Sequence, residues 1–179
     1  MKTGIVGLGL RAANVLKMLL EDLPELDLVG YVDPDPCGLS ILDDVSHNLI
    51  RFESLDEMIE KCNLDLLWVA SPNHLHLDHI KVGLEAGLKV FSEKPIVTTK
   101  EDSFSLAKLI KIYGESQLIV GLVLRYSVHM RELRRILDAG TLGNITSLEA
   151  NEHIAPFHGS FFMRDWRRLE KYSGGFMLE

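Results

Sequence analysis

The stretch Gly7-Leu8-Gly9-Leu10-Arg11-Ala12 decides the fold, because it fits the pattern G-x-G-x-x-A between an apolar run and a helical pattern. In a strand–turn–helix unit, the first glycine permits a tight turn and the second lets the backbone approach a phosphate group. The third small residue allows the helix to pack closely on the strand. The helix N-terminus then presents unpaired N–H groups to an anion. The stretch therefore predicts a site for the diphosphate of a dinucleotide, with Gly7, Leu8, Gly9, Leu10 and Arg11 as candidate binding residues.

A carboxylate follows at the distance that such a site requires. Asp33 ends the second predicted strand, roughly 20 residues after the glycine loop, where an acidic side chain binds the ribose hydroxyls of adenosine. A carboxylate here repels the 2′-phosphate of NADP, and Pro34-Asp35-Pro36 supply no arginine to offset it. The pattern therefore favours NAD over NADP. The alternative is a glycine-rich turn without a ligand and an aspartate that only initiates a turn.

Short apolar runs alternate with helical patterns along the first 122 residues. Apolar runs that lack an alternation of polar residues are typical of strands covered on both faces. Strands are predicted at 5–6, 26–32, 64–70, 88–91 and 118–123, and helices at 12–20, 54–61, 76–86 and 100–113. This order predicts an α/β fold of the Rossmann type, a doubly wound parallel sheet with right-handed crossovers.

The regular alternation of predicted strands and helices ends after Val123, so we place a domain boundary near Leu122. A helix is predicted at 127–139 and a strand at 145–151, whereas 153–172 has no clear period and concentrates histidine, arginine and aromatic residues. Residues 123–179 are few for a domain, because so small a unit buries its core poorly. We therefore expect 1–122 to be a dinucleotide-binding domain and 123–179 to be the beginning of another domain.

The composition excludes several classes of partner. The 179 residues carry 19 Lys and Arg against 26 Asp and Glu, a net charge of −7, with no basic cluster. This balance argues against nucleic acid as the main partner, and no run approaches the ~20 apolar residues that a membrane helix needs. Two cysteines, Cys37 and Cys62, make no disulfide framework and suit a reducing compartment. We expect a cytoplasmic protein that binds a small molecule and neither nucleic acid nor a membrane.

A lysine follows the fourth predicted strand in Phe91-Ser92-Glu93-Lys94-Pro95. Ligands of open α/β sheets bind beyond the carboxyl ends of the strands, so Lys94 is expected at the crevice where a nicotinamide ring would lie. Its ammonium group could hydrogen-bond a substrate hydroxyl and help to move its proton during hydride transfer. Lys94 is therefore a candidate catalytic residue, the alternative being a solvated lysine on a loop.

These features and several others occur in the order seen in one family. The sequence resembles the glucose-fructose oxidoreductase / inositol dehydrogenase / rhizopine catabolism (Gfo/Idh/MocA) family of NAD(P)-dependent oxidoreductases. The resemblance covers the whole chain. It is carried by Gly7 to Ala12, Asp33, Ser71-Pro72-Asn73 with His76, Glu93-Lys94-Pro95, Gly121 with Arg125, Gly140-Thr141-Leu142-Gly143, Trp166-Arg167 and Gly174-Gly175.

The resemblance implies a function and a set of site residues. It implies hydride transfer between a nicotinamide cofactor and a sugar, cyclitol or derivative, by a homo-oligomer in the full-length protein. An α+β substrate domain would follow the Rossmann domain. Lys94 would contact the substrate near the nicotinamide. The residues implied to lie near the cofactor or substrate are Ser71, Pro72, Asn73, His76, Glu93, Arg125, Trp166 and Arg167.

One departure from the family pattern concerns the proton acceptor. The family usually carries an Asp after its glycine cluster and a His four residues later, and here Glu179 falls at the Asp position, where the sequence ends. Glu179 is therefore a candidate catalytic residue, and we expect this chain to be a fragment that binds cofactor without efficient turnover. A cofactor-binding sensor or regulatory protein is the alternative.

A second motif points to different chemistry. The run His74-Leu75-His76-Leu77-Asp78-His79 reads H-x-H-x-D-H, which resembles the metal loop of metallo-β-lactamase-like hydrolases. Imidazole and carboxylate groups ligate zinc, and bound zinc activates water for hydrolysis. The further ligands of that family are not recognisable here, so the predicted site contains no metal and the hydrolase stays an alternative.

Overall fold

A computed structural model describes residues 1–42, 49–151 and 153–175. Six strands form one parallel sheet in the order β3-β2-β1-β4-β5-β6. The strands are β1 (Lys2–Val6), β2 (Asp27–Val32), β3 (Ile50–Arg51), β4 (Leu66–Val69), β5 (Lys89–Ser92) and β6 (Leu118–Val120). This is the strand order of the dinucleotide-binding Rossmann fold. From β1 to β3 each new strand is added on one side of β1, and from β4 to β6 each is added on the other side. The predicted fold class is confirmed.

Helices connect the strands and cover both faces of the sheet. The helices described are α1 (Leu10–Asp22), α2 (Leu55–Lys61), α3 (His76–Glu85), α4 (Lys100–Tyr113), α5 (Val128–Asp138), α6 (Pro156–Gly159) and α7 (Glu170–Ser173). Each helix predicted within 1–122 is present, with ends displaced by two residues at most. None of the described helices is long and apolar enough to cross a membrane.

Side chains on the two faces of the sheet enter two separate apolar clusters. In β4, Leu67 and Val69 pack in one cluster with Ile80 of α3, whereas Trp68 between them packs in the other with Leu16 of α1. Because both faces are buried, neither needs polar residues, which explains the continuous apolar run in the sequence. The core thus holds the ends of β1 and β4 side by side.

Local sequence signals position the helix ends. Ser54 Oγ accepts a hydrogen bond from the backbone N–H of Glu57 (3.1 Å), as the S-x-x-E pattern predicts. Gly87 adopts a positive φ of 75° just after α3, in agreement with a glycine at the helix end. These two helix ends are therefore set by short-range interactions.

The predicted strand at 145–151 is wrong. None of these residues is in a strand, and Ile145 and Leu148 are 56% and 82% exposed. A strand is stable only when a neighbour pairs with its backbone and covers its apolar face, and no strand among the described residues does so. The predicted helix at 127–139 is present as α5, but none of its side chains is buried.

Candidate cofactor site

The crevice lies at the carboxyl ends of the strands, where β1 and β4 adjoin and their following helices cover opposite faces. Hydrogen bonds extend the sheet one residue beyond the strands. Gly7 N donates to Val32 O (2.9 Å), and Glu93 N donates to Val69 O (2.9 Å). The loops that follow β1, β2, β4 and β5 therefore all begin side by side at the same edge of the sheet. This edge is where open α/β sheets bind ligands.

The two glycines of the loop after β1 have different roles. Gly7 has a φ of +88°, and a Cβ built on it would lie 2.4 Å from Ser71 N, so only glycine fits between the two loops. Gly9 has an ordinary φ of −76°, and a Cβ there would meet nothing within 4 Å. Gly9 is also the N-cap of α1 and has no side chain to cap it. The loop therefore presents an open face beside unpaired helix N–H groups, which fits a diphosphate.

The carboxylate of Asp33 faces this loop. Leu8 N donates to Asp33 Oδ2 (2.6 Å), and Asp35 N donates to Asp33 Oδ1 (2.8 Å). Hydrogen bonds to an ionised carboxylate are about twice as strong as neutral ones, so these two bonds fix the side chain beside the glycine loop. The structure thus brings together the two features on which the NAD prediction depends.

Gly38 belongs to the same site although its sequence carries no motif. Its N–H donates to Leu8 O (3.0 Å), and a Cβ on Gly38 would lie 2.5 Å from Gly9 O. The segment after Asp33 therefore packs on the glycine loop with backbone against backbone. Only the proximity of two distant segments makes this glycine necessary, so no local pattern could have indicated it.

An ion pair joins the first turn of α1 to the loop after β5. Arg11 Nε lies 3.4 Å from Glu93 Oε2, and the two side chains are 53% and 11% exposed. Such partly solvated pairs contribute little to stability. Both residues were predicted as cofactor-binding, and the structure places them in contact across the edge of the sheet.

The loop Ser71-Pro72-Asn73 is held from two directions. Ser71 Oγ lies 2.9 Å from His79 Nδ1 of α3, and Asn73 Nδ2 donates to Ser173 O of α7 (3.1 Å). Ser71 and Asn73 are buried, and Pro72 is half-buried. The segment near residue 173 therefore reaches back to the crevice loop, which its irregular sequence did not predict.

His76 lies behind this loop. Its side chain is 1% exposed, with Nδ1 2.7 Å from Pro95 O and Nε2 2.8 Å from Ser71 O. The partly buried Lys94 directly precedes Pro95, and the bond between them is cis. His76 is thus hydrogen-bonded to the two loops that carry other candidate residues.

The remaining candidates lie on later segments. The guanidinium of Arg167 stacks over the ring of Trp166 at 4.3 Å, and the Trp166 ring lies 6.5 Å from that of His74. Arg125 is exposed and lines an open cavity of about 420 Å³ with Arg131, Arg134, Arg135 and Asp138 of α5. Trp166 and Arg167 therefore adjoin the crevice loop, and Arg125 lies beside α5. Glu179 lies outside the described residues.

The histidine motif does not assemble as a metal site. His74 packs against the ring of Tyr172 (4.7 Å), His76 faces two carbonyl oxygens, and His79 bonds Ser71. Across 1–42, 49–151 and 153–175 there is no group of three side chains that could hold a metal ion. The arrangement gives no support to the hydrolase alternative.

The environment of His79 predicts a pH dependence of stability. Burial, and next the electrostatic interaction with His76, lower the pKa of His79 from its ordinary 6.5. A lowered pKa in the folded state means that the unfolded chain binds more protons, so this contribution is complete above about pH 6.5 and is lost as the pH falls below it. We expect the His79→Gln variant, which keeps a hydrogen-bonding side chain, to lose less unfolding free energy than the wild type between about pH 8 and pH 5.5. Urea unfolding at both pH values measures this, and equal losses in the two proteins would contradict it.

Comparison with known proteins identifies the family of this chain. The chain belongs to the Gfo/Idh/MocA family, whose profile describes an oxidoreductase family with an NAD-binding Rossmann fold and matches residues 1–122. This match confirms the resemblance carried by the motifs.

Several relatives indicate the range of activities in this family. The chain is 27% identical over 143 residues to inositol 2-dehydrogenase 3 of Saccharopolyspora erythraea, covering 79% of this chain and 42% of the relative. It is 25% identical over 173 residues to 2,7-anhydro-N-acetylneuraminate hydratase of Escherichia coli K12, covering 96% and 44%. The structure of scyllo-inositol dehydrogenase from Lactobacillus casei with bound NAD(H) and scyllo-inositol matches with a TM-score of 0.73 at 27% identity, covering 82% and 43%. The chain thus spans less than half the length of each.

Proposed function

We propose that this chain forms the cofactor-binding part of an NAD-dependent dehydrogenase. The reaction would be reversible hydride transfer between the nicotinamide and a hydroxyl-bearing carbon of a sugar, cyclitol or derivative. One observation carries the proposal: the open face at Gly9 lies beside the Asp33 carboxylate, which is fixed by Leu8 N at 2.6 Å. Membership of an NAD-binding oxidoreductase family supports it.

The residues of the glycine loop would hold the adenosine half of NAD. The backbone at Gly9 and the first N–H groups of α1 would bind the diphosphate, because they offer donors and a positive dipole end. Asp33 would accept hydrogen bonds from the ribose hydroxyls and repel a 2′-phosphate. Arg11 lies beside the loop with its cation partly solvated, so it would add positive charge near the diphosphate.

The loops after β4 and β5 would hold the nicotinamide half and the substrate. NAD supplies the hydride chemistry when bound, and the protein supplies orientation and proton handling. Lys94 would donate a hydrogen bond to the substrate hydroxyl and assist the transfer of its proton. Ser71-Pro72-Asn73 and Glu93 would line the cofactor crevice, and Trp166-Arg167 would adjoin it beside His74.

The remaining assignments concern the whole protein. We propose residues 1–122 as the Rossmann domain and 123–179 as the beginning of a substrate domain, in a cytoplasmic homo-oligomer. The substrate class is supported by the inositol dehydrogenases among the relatives. On the resemblance alone, Arg125 is proposed near the cofactor or substrate and Glu179 as a catalytic residue.

Replacing Asp33 with asparagine tests the cofactor assignment. We expect wild-type protein to bind NAD more tightly than NADP, and Asp33→Asn to reduce this preference at least about tenfold, because the charge that repels the 2′-phosphate is removed. Calorimetric titration with both dinucleotides gives the ratio of the two Kd values. The ratio is informative even if the variant loses stability, since both ligands are measured on the same folded protein.

A matched substitution lies at the other end of the same strand. Asp27 is exposed at the start of β2, on the sheet edge opposite to the crevice. Asp27→Asn removes the same charge and should leave the ratio unchanged. An unchanged preference in Asp33→Asn, or no binding of either dinucleotide by the wild type, would overturn the proposed function.

A further inference from the structure

The side chain of His76 joins two loops that belong to different strands. Its ring is 1% exposed and lies between Ser71 O, after β4, and Pro95 O, after β5. Both distances, 2.8 Å and 2.7 Å, are short for N–H···O hydrogen bonds. The last sheet bond between these strands is that of Glu93 N with Val69 O. The imidazole therefore continues the pairing of the two strands beyond the sheet itself.

The two partners of this ring determine how many protons it must carry. A backbone carbonyl oxygen only accepts hydrogen bonds, and a neutral imidazole carries one N–H and one lone pair. One nitrogen of a neutral ring would therefore direct its lone pair at an oxygen less than 3 Å away, which is repulsive. An imidazolium donates from both nitrogens and satisfies both carbonyl groups.

From this geometry we infer that His76 is a buried imidazolium that clamps the loop after β4 to the loop after β5 and so positions Lys94 at the crevice. The positioning role rests on the proposed function, whereas the protonation state does not. His76 was predicted to line the cofactor crevice, and its burial assigns it an indirect action through Ser71 and Pro95 instead.

Other charges around the ring both oppose and support the cation. His76 is the first residue of α3, where the helix dipole disfavours a positive charge, and Lys94 is a second cation beside Pro95. Glu93, 8% exposed on the same loop, carries a negative charge that is paired with Arg11 at 3.4 Å, and Asp78 lies in the first turn of α3. His74 and His79 flank the ring along the chain.

Nitrogen-15 NMR of the wild-type chain tests the protonation state directly. With ring-labelled histidine at about pH 8, histidines in ordinary environments are neutral and show one protonated and one unprotonated nitrogen. We expect His76 to show two protonated nitrogens. Its signal is assigned by its disappearance in His76→Gln, or through bonds to its backbone if that variant does not fold. One protonated and one unprotonated nitrogen on His76 would overturn the inference.

A second measurement tests the positioning role. Glutamine can donate hydrogen bonds from one end only, so His76→Gln should release one of the two loops. We expect the backbone amide signals of Asn73 and Lys94 to shift and NAD affinity to fall at least about tenfold. His129→Gln, an exposed histidine on α5, is the matched control and should change neither. Unchanged loop signals and unchanged affinity in His76→Gln would overturn the positioning role.

The two proposals fail in distinguishable ways. If the wild type does not bind NAD but His76 shows two protonated nitrogens, the proposed function is wrong and the inferred protonation of His76 stands. If NAD binds and His76 is neutral, the inferred protonation of His76 is wrong and the proposed function stands.

Discussion

Gly9→Ala should lose at least about 90% of the NAD affinity, a tenfold or greater rise in Kd, while the protein stays folded. Gly9 has an ordinary φ of −76°, and the added Cβ would meet nothing within 4 Å, so the substitution is tolerated by the free protein. Its methyl group would instead occupy the open face where the diphosphate is proposed to approach the backbone. Calorimetric titration with NAD measures the affinity. Urea unfolding should show a change of about 1 kcal/mol or less.

A ligand without phosphate provides the control for this experiment. Adenosine retains the ribose hydroxyls proposed to bind Asp33 and lacks the diphosphate. Its affinity, measured by the same titration, should therefore be the same in Gly9→Ala and in the wild type. Wild-type affinity of Gly9→Ala for NAD would show that the diphosphate does not lie on this loop.

Gly7→Ala should destabilise the fold itself, by about 3 kcal/mol or more in the free energy of unfolding. Gly7 has a φ of +88°, which alanine adopts at a cost, and its Cβ would lie 2.4 Å from Ser71 N and 2.5 Å from Ala70 O. These are backbone atoms at the end of a central strand and cannot move aside as a flexible side chain can. Urea unfolding of the variant and of the wild type measures the difference.

A substitution at Gly87 distinguishes the cost of the positive φ from the cost of the close backbone contact. Gly87 also has a positive φ, of 75°, but a Cβ there would meet nothing within 4 Å. Gly87→Ala should therefore cost only the conformational part, about 1–2 kcal/mol. If the two variants were equally destabilised, the close approach of the loops after β1 and β4 would contribute nothing, and this account of Gly7 would be wrong.

Most of the Rossmann domain could be predicted because its signals are local. The continuous apolar run through Leu67, Trp68 and Val69 reflects burial on both faces of the sheet, and the S-x-x-E pattern at Ser54 reflects one hydrogen bond to Glu57. By contrast, the apolar pattern at 145–151 predicted a strand that the structure lacks. A strand depends on a neighbour that pairs with it, and the pattern of one segment carries no information about its neighbour.

In the candidate site, too, local sequence indicated some features and also suggested one, the metal alternative, that the folded chain does not support. The glycine loop and Asp33 were identified from their spacing, because the chemistry of a bound diphosphate imposes that spacing on a single strand–helix–strand unit. The metal alternative arose because His74, His76 and His79 are also close in sequence. In the folded chain their rings have different partners, namely Tyr172, two carbonyl oxygens and Ser71.

By itself, then, the amino-acid sequence determined the parallel α/β architecture, the family and the place of the dinucleotide loop, since each follows from short local patterns and their order along the chain. Tertiary structure alone decided which groups of the site contact one another. Arg11 meets Glu93 across 82 positions and Asn73 meets Ser173 across 100, while Gly38 is required only by its contact with Gly9. The physical reason is that hydrogen bonds, ion pairs and close backbone contacts act over a few ångströms, and chain folding, rather than sequence spacing, brings these groups within that range.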